Sequence, residues 1–369
     1  MNTIVISAVN ITEGGALQIL RDCLASAVNF FPEDYEIIAI VNNSLLVNIP
    51  RVRVIPIASA KKSWIHRLYW EWFGFMRISR DVDPLLWFSL HDVTPRVRSV
   101  LQAVYCHNPS PFYRISLFEA YMQPSFLFFN LLYSHLYSLF IKRNAYVVVQ
   151  QSWLRDEFIR RFGPLPIVVA YPSLPNFSID RSPKSHPNFV FVYPAFPRVF
   201  KSLETLCRAA EILFGRAVVD FEVKLTLSGS ENRYSRWIFA KYSHLACVKF
   251  IGQQNQEGMG FLYSQSDALV FPSKLETWGL PISEAKAYRL PLLLPELPYA
   301  RETVGNYDLV EFFRPDSSEA LASIMESMIR GMWTPSVSCN EKPFPPFSSD
   351  WDSLWQLLAN EPLVGRSRN

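Results

Sequence analysis

Short apolar runs, many of them β-branched, alternate along this chain with stretches whose apolar positions recur every three to four residues. In the first half the strand-like runs fall at residues 3–9, 35–41, 53–57, 86–89 and 146–150. In the second half they fall at residues 189–193, 222–227, 248–251, 268–271 and 292–294. Helical spacing separates them, for example at residues 203–214 and 259–264. The alternation predicts parallel βαβ units with helices on both faces of a sheet, twice over. Residues 171–188 are rich in proline and serine and have no periodicity, which marks a linker. The expected division is a first α/β domain at residues 1–172, a linker at 173–188, a second domain at 189–340 and a terminal segment at 341–369. That segment is proline-rich at residues 342–347 and then helical in pattern at 350–358.

A length of 369 residues suits two domains better than one, and 49% hydrophobic residues with 15% aromatics suffice to fill two cores. With 36 basic and 33 acidic side chains the net charge is only +3, which gives no global electrostatic case for nucleic acid as a partner. The five cysteines are scattered without Cys-x-x-Cys spacing, which argues against a disulfide framework or a zinc site and fits a reducing cytoplasm. The opening residues, Met1-Asn-Thr-Ile-Val-Ile-Ser-Ala-Val9, read as a first strand rather than a signal peptide. The longest apolar stretch, residues 126–141, is interrupted by Asn130, Ser134, His135 and Ser138 and is too short to span a bilayer.

Candidate chemistry centres on Phe271-Pro-Ser-Lys-Leu-Glu-Thr-Trp-Gly-Leu-Pro-Ile-Ser-Glu284-Ala285. An apolar run precedes this segment and a helical pattern begins near Pro281. Glu276 is therefore expected in a strand-to-helix loop, and Glu284 one turn into the helix. Between them the N–H groups of Thr277, Trp278, Gly279 and Leu280 fall at the positive end of the helix dipole, where a phosphate binds at least cost. Flanking carboxylates can accept hydrogen bonds from sugar and ribose hydroxyls. Arg198 and Lys201 follow the strand that opens the second half, at the carboxyl edge of a parallel sheet. There a cation pair can stabilise charge building on a leaving diphosphate. Gly229 ends a strand in Leu-Ser-Gly-Ser, and Gly252 with Gln253 follows another in the same way, a form that lets a loop pass near a ligand. Gly14 and Gly15 follow the first strand and open a helix, which allows close backbone approach, but Gly-x-Gly-x-x-Gly is absent. His107 ends an apolar run before a proline-bent loop, and His91-Asp92 forms an alternative polar pair.

The stretch of about twenty residues around Glu276 and Glu284 resembles the donor-site signature of retaining glycosyltransferases of family 4, which have the GT-B fold of two facing Rossmann-like doubly wound domains. The resemblance implies that Glu284 holds the ribose and Glu276 the transferred sugar, that Arg198 and Lys201 contact the diphosphate, and that Gly252 and Gln253 lie beside the base. It also implies an acceptor side lined by the loop at Gly14 and Gly15 and by His107. The usual Gly-Arg-Leu opening before the cations is missing here, and the two cations are closer together than is common. Asp81-Val-Asp83 resembles the Asp-x-Asp of metal-dependent GT-A enzymes, but it precedes a strand rather than ending one and reads as a solvated turn.

Together these readings imply transfer of a hexose-type sugar, without metal, from a GDP- or UDP-sugar to a glycan or lipid-linked acceptor in bacterial surface polysaccharide synthesis. The alternatives are a non-catalytic scaffold of this fold and a sugar-nucleotide epimerase or hydrolase. Residues 61–80 mix lysine and arginine with tryptophan, tyrosine and phenylalanine at near-helical spacing, a composition suited to an anionic lipid surface. The expected location is the cytoplasmic face of the inner membrane, held peripherally.

Overall fold

The computed structural model describes residues 2–173, 187–335 and 343–359. Most of the expected linker, residues 173–188, lies outside this set. The strands are β1 (Asn2–Ala8), β2 (Tyr35–Val41), β3 (Val52–Pro56), β4 (Leu86–Ser89), β5 (Leu101–Cys106), β6 (Tyr146–Val149), β7 (Ile167–Ala170), β8 (Phe189–Tyr193), β9 (Phe221–Leu225), β10 (Val248–Phe250), β11 (Ala268–Val270), β12 (Leu292–Pro295), β13 (Val310–Phe313) and β14 (Phe347–Ser348). They form two sheets, and every pairing within each sheet is parallel.

The chain divides into two compact units. The first comprises Met1–Phe112, Asn130–Ser173 and Pro343–Asn369, and its sheet has the order β14-β7-β6-β5-β4-β1-β2-β3. Side chains alternate across each strand, so β1 sends Ile4, Ile6 and Ala8 to one face and Val5 to the other, where Val9, just after the strand, joins it. Helix Gly14–Phe30 buries Leu20, Cys23, Leu24 and Ala27 on the first face, where helix Trp351–Ala359 adds Trp351, Leu354, Trp355 and Leu358. Both faces are covered, which explains why these strands are apolar on both sides. Helix Trp64–Tyr69, a π-helical turn at Trp70–Gly74 and helix Phe75–Val82 follow one another, and Phe75 of the last packs on Trp87 on the second face.

The second unit comprises Tyr113–Phe129 and Leu174–Lys342, with sheet order β10-β9-β8-β11-β12-β13. The expected boundary at residue 172 therefore misses one exchange, because Tyr113–Phe129 groups with the second unit. Its short helix Leu117–Met122 starts with a capping box in which Ser116 and Glu119 satisfy each other's backbone, so this segment is locally well specified. It also carries an apolar face, through which Phe126 and Tyr113 contact Phe200 and Phe118 contacts Trp237. Among the described residues no helix is long and apolar enough to cross a membrane.

Candidate functional site

In the second unit the chain runs outward in one direction from β8 through β9 and β10, and in the other from β11 through β12 and β13. The switch point lies between β8 and β11, and the loops after those two strands open on the same edge, where ligands of open α/β sheets bind. This topology brings together the loop carrying Arg198 and Lys201 and the loop carrying Glu276. Lys201 Nζ lies 2.5 Å from Glu276 Oε1, and both side chains are largely buried. Lys201 also sits over the rings of Phe271 and Phe200, at 5.1 and 5.8 Å. Its carbonyl accepts a hydrogen bond from the Tyr193 hydroxyl at 2.6 Å, which fixes the turn. Arg198 stacks on Phe196 at 5.2 Å and makes no ion pair among the described residues; partial burial holds its guanidinium below the usual value.

The glutamate loop ends in Gly279, which has φ +82° and serves as N-cap of helix Leu280–Ala287. That left-handed conformation favours glycine. The amides of Thr277, Gly279 and Leu280 donate to no acceptor among the described residues, so these three remain available to an anion at the helix start. Trp278 is buried instead, with Nε1 donating to Ser283 Oγ at 3.0 Å and its carbonyl accepting from Thr303 Oγ1. It braces the loop.

Glu284, on the next turn, accepts a hydrogen bond from the Tyr263 hydroxyl at 2.6 Å. Burial raises its carboxyl above the usual range, and the Tyr263 bond only partly offsets this. Nothing in the sequence pointed to Tyr263, which lies 21 residues away on a different helix.

The remaining candidates of this unit also follow strands of its sheet. Gly252 (φ +73°) follows β10, its N–H donates to Leu227 O, and Gln253 beside it is exposed. Gly229 (φ +88°) follows β9, but its amide and that of Ser228 are bound by the carboxylate of Glu231. A Cβ at Gly229 would lie 2.6 Å from Phe239 Cβ, so glycine is required there by close packing as well as by conformation.

The first unit has its own switch point, between β1 and β4. Gly14 (φ +66°) and Gly15 follow β1 and begin the helix, and Asp92 and His107 follow β4 and β5 on the same edge. Asp92 Oδ1 accepts from the His107 N–H at 2.7 Å, the Asn108 N–H at 3.0 Å and the Tyr137 hydroxyl at 3.0 Å. Its other oxygen lies 3.7 Å from His107 Nε2. The alternative pair divides in its roles, because His91 is fully buried with Nδ1 2.8 Å from Glu71 Oε1, whereas Asp92 organises the His107 loop. Asp83 caps helix Phe75–Val82, and no cluster of three or more histidine, cysteine or acidic side chains able to hold a metal occurs among the described residues.

Residues 176–334 match the family model "Glycosyl transferases group 1". Over 87 residues the chain is 30% identical to the O-antigen chain mannosyltransferase B of Escherichia coli, covering 23% of this chain and 22% of that relative's length. Among solved structures, WaaG, a glycosyltransferase involved in lipopolysaccharide biosynthesis, superposes with a TM-score of 0.64 at 10% identity, over 99% of this chain and 96% of its own. Anabaena Alr3699/HepE in complex with UDP and glucose gives 0.61 at 16% identity, over 88% and 89%. The fold is GT-B, and the chain spans about a fifth of the length of the curated relative that it matches.

Proposed function

We propose that this chain is a retaining glycosyltransferase that moves a hexose-type sugar from a GDP- or UDP-sugar to a hydroxyl of a lipid-linked glycan in bacterial surface polysaccharide assembly, without a metal ion. The observation that carries this reading is the pairing of Lys201 with Glu276 at the second sheet's switch point, beside the free amides of Thr277, Gly279 and Leu280. A sugar diphosphate needs those two kinds of group side by side. Lys201 and Arg198 neutralise the charge that develops as the bond between anomeric carbon and phosphate oxygen breaks, and Glu276 accepts hydrogen bonds from the sugar hydroxyls. Glu284 holds the ribose, with Gly252 and Gln253 beside the base and the loop at Gly229 passing near the donor.

As the acceptor oxygen bonds to the anomeric carbon from the face the diphosphate leaves, its proton passes to a departing phosphate oxygen. No protein nucleophile is required. On the acceptor side, Gly14, Gly15 and His107 supply backbone approach and a polar contact. UDP and UDP-glucose as ligands of the Anabaena neighbour support a nucleoside diphosphate sugar as donor.

The test is a thermal-shift screen against GDP-, UDP- and dTDP-sugars, followed by product analysis with and without a lipid-linked acceptor and with EDTA. Stabilisation by one donor and EDTA-insensitive transfer that retains anomeric configuration are expected. Donor binding with release of free sugar or epimer alone would favour the hydrolase or epimerase alternative, and no donor binding would favour a scaffold. Loss of transfer in EDTA, restored by manganese, would return Asp81 and Asp83 to consideration.

A further inference from the structure

Lys274 stands two residues before Glu276 and takes no part in the donor contacts described so far. Its backbone N–H donates to Phe200 O at 2.7 Å, so the loop carrying Glu276 is joined here to the turn carrying Lys201. Its side chain runs the other way, into acidic surroundings. Nζ lies 2.6 Å from Asp316 Oδ1 and 3.7 Å from Glu119 Oε1.

Glu119 belongs to Tyr113–Phe129, the segment exchanged into this unit, and its carboxylate is held on all sides. Oε2 accepts from the N–H and the hydroxyl of Ser116, each at 2.8 Å, and Oε1 accepts from the Tyr113 hydroxyl at 2.5 Å. The same segment grips the other loop. Gln123 Oε1 accepts from Val199 N–H at 3.3 Å, and the Phe126 ring packs on Phe200 at 5.2 Å.

Burial opposes the charge on both partners but is outweighed. The Asp316 hydrogen bond, with the charges of Asp316 and Glu119, keeps the Lys274 ammonium above its usual value, and the hydrogen bonds from Tyr113 and Ser116 with the Lys274 charge keep Glu119 below its own. Both are ionised at neutral pH.

We propose that Lys274 is a positioning residue. Anchored by Glu119 and Asp316, it fixes the loop that presents Glu276 to the transferred sugar and, through Phe200, the turn that presents Lys201 to the diphosphate. This rests on the donor-site reading above. An ion pair is suited to the task because its two ends lie on segments far apart in sequence, whereas small misplacements at the reacting centre cost on the order of 10²-fold in rate.

Lys274→Met, Lys274→Arg, Glu119→Gln and the double variant Lys274→Met/Glu119→Gln test it in the full chain, by steady-state transfer, calorimetry with UDP and GDP, and hydrogen exchange. Lys274→Met is expected to lower kcat roughly 10-fold or more and to weaken nucleoside diphosphate binding by a smaller factor, because the turn carrying Lys201 loosens while Glu284 and the loop after β10 are untouched. Lys274→Arg should restore most of the rate, and the double variant should be no slower than Lys274→Met, since both changes cut the same link. Exchange should quicken at residues 199–201 and 274–279.

A wild-type kcat with unchanged exchange in Lys274→Met, or rate losses that multiply in the double variant, would overturn the proposal. Should the unaltered chain transfer no sugar from any donor, the donor-site reading fails, and exchange still decides whether Lys274 holds the loops. If Lys274→Met does not fold, Glu119→Gln carries the same comparison.

Discussion

Lys201 and Glu276 are 75 residues apart in sequence, yet their ammonium and carboxylate meet at 2.5 Å. On the proposed reading, a lysine held in this way is already desolvated and oriented before a diphosphate arrives, so it does not have to reorganise when charge develops. Replacing Lys201 with Ala is expected to lower turnover on the order of 10²-fold or more, a few kcal/mol of transition-state stabilisation. Initial rates at saturating donor check it, and unchanged turnover would remove Lys201 from the site.

Glu284 gives a pH signature. Burial raises its carboxyl pKa in the folded chain, so folding favours the protonated form; the stability tied to that proton is fully present below the unfolded value near 4.5 and is lost as pH rises through the raised folded value. At neutral pH Glu284 therefore burdens the fold. Glu284→Gln should melt higher than the unaltered chain at pH 7, with the difference shrinking as pH falls toward 4.5 and below. If Glu284 holds the ribose as proposed, the same substitution should weaken nucleoside diphosphate binding, because a carboxylate acceptor becomes a weaker neutral one. Melting curves across pH and calorimetry with UDP and GDP read both effects, and a variant that melts no higher at pH 7 would remove the burial argument.

Much of the architecture was legible because parallel strands buried on both faces leave apolar runs with turn signals at each end. Residues 35–41, 86–89 and 189–193 are strands over those same bounds. β5 and β7 were harder to read. Gln102 breaks the first, and Ile167–Ala170 is four residues long beside prolines, so neither has enough periodicity to separate strand from loop. The site divides similarly. Glu276, Gly279 and Glu284 lie in one continuous segment, and their loop-to-helix setting follows from local pattern. Their partners Lys201, Tyr263 and Lys274's anchor Glu119 are brought in by strand order and by the exchanged segment, which hydrophobic period does not encode.

The C-terminal helix carries a stability prediction. Trp355 is fully buried in the first unit's core, with ring contacts to Phe31 at 5.5 Å and Phe88 at 5.6 Å. Its removal leaves a cavity between the helix and the sheet that neither can close without moving the other. Trp355→Ala should cost about 3–5 kcal/mol of unfolding free energy. Chemical denaturation measures it, and a loss below about 1 kcal/mol would mean that the helix is not part of this core.

The last expectation concerns the surface that precedes β4. Along residues 61–80 the buried side takes Arg67, Glu71, Phe75 and Ser79, and the outer side exposes Ile65, Tyr69 and Phe73 in steps of four, with Lys61, Lys62, Arg77 and Arg80 exposed at the two ends. An apolar stripe capped by cations matches the boundary between acyl chains and anionic headgroups, to which each cation adds about 1 kcal/mol. Co-sedimentation with vesicles containing phosphatidylglycerol should therefore exceed that with neutral vesicles and fall as salt is raised. Ile65→Glu and Phe73→Glu together should abolish it while leaving UDP and GDP binding intact, because the proposed donor site lies in the second unit. Equal binding to neutral and anionic vesicles, or none to either, would leave these aromatics without a lipid partner and the acceptor's membrane anchorage without support from this face.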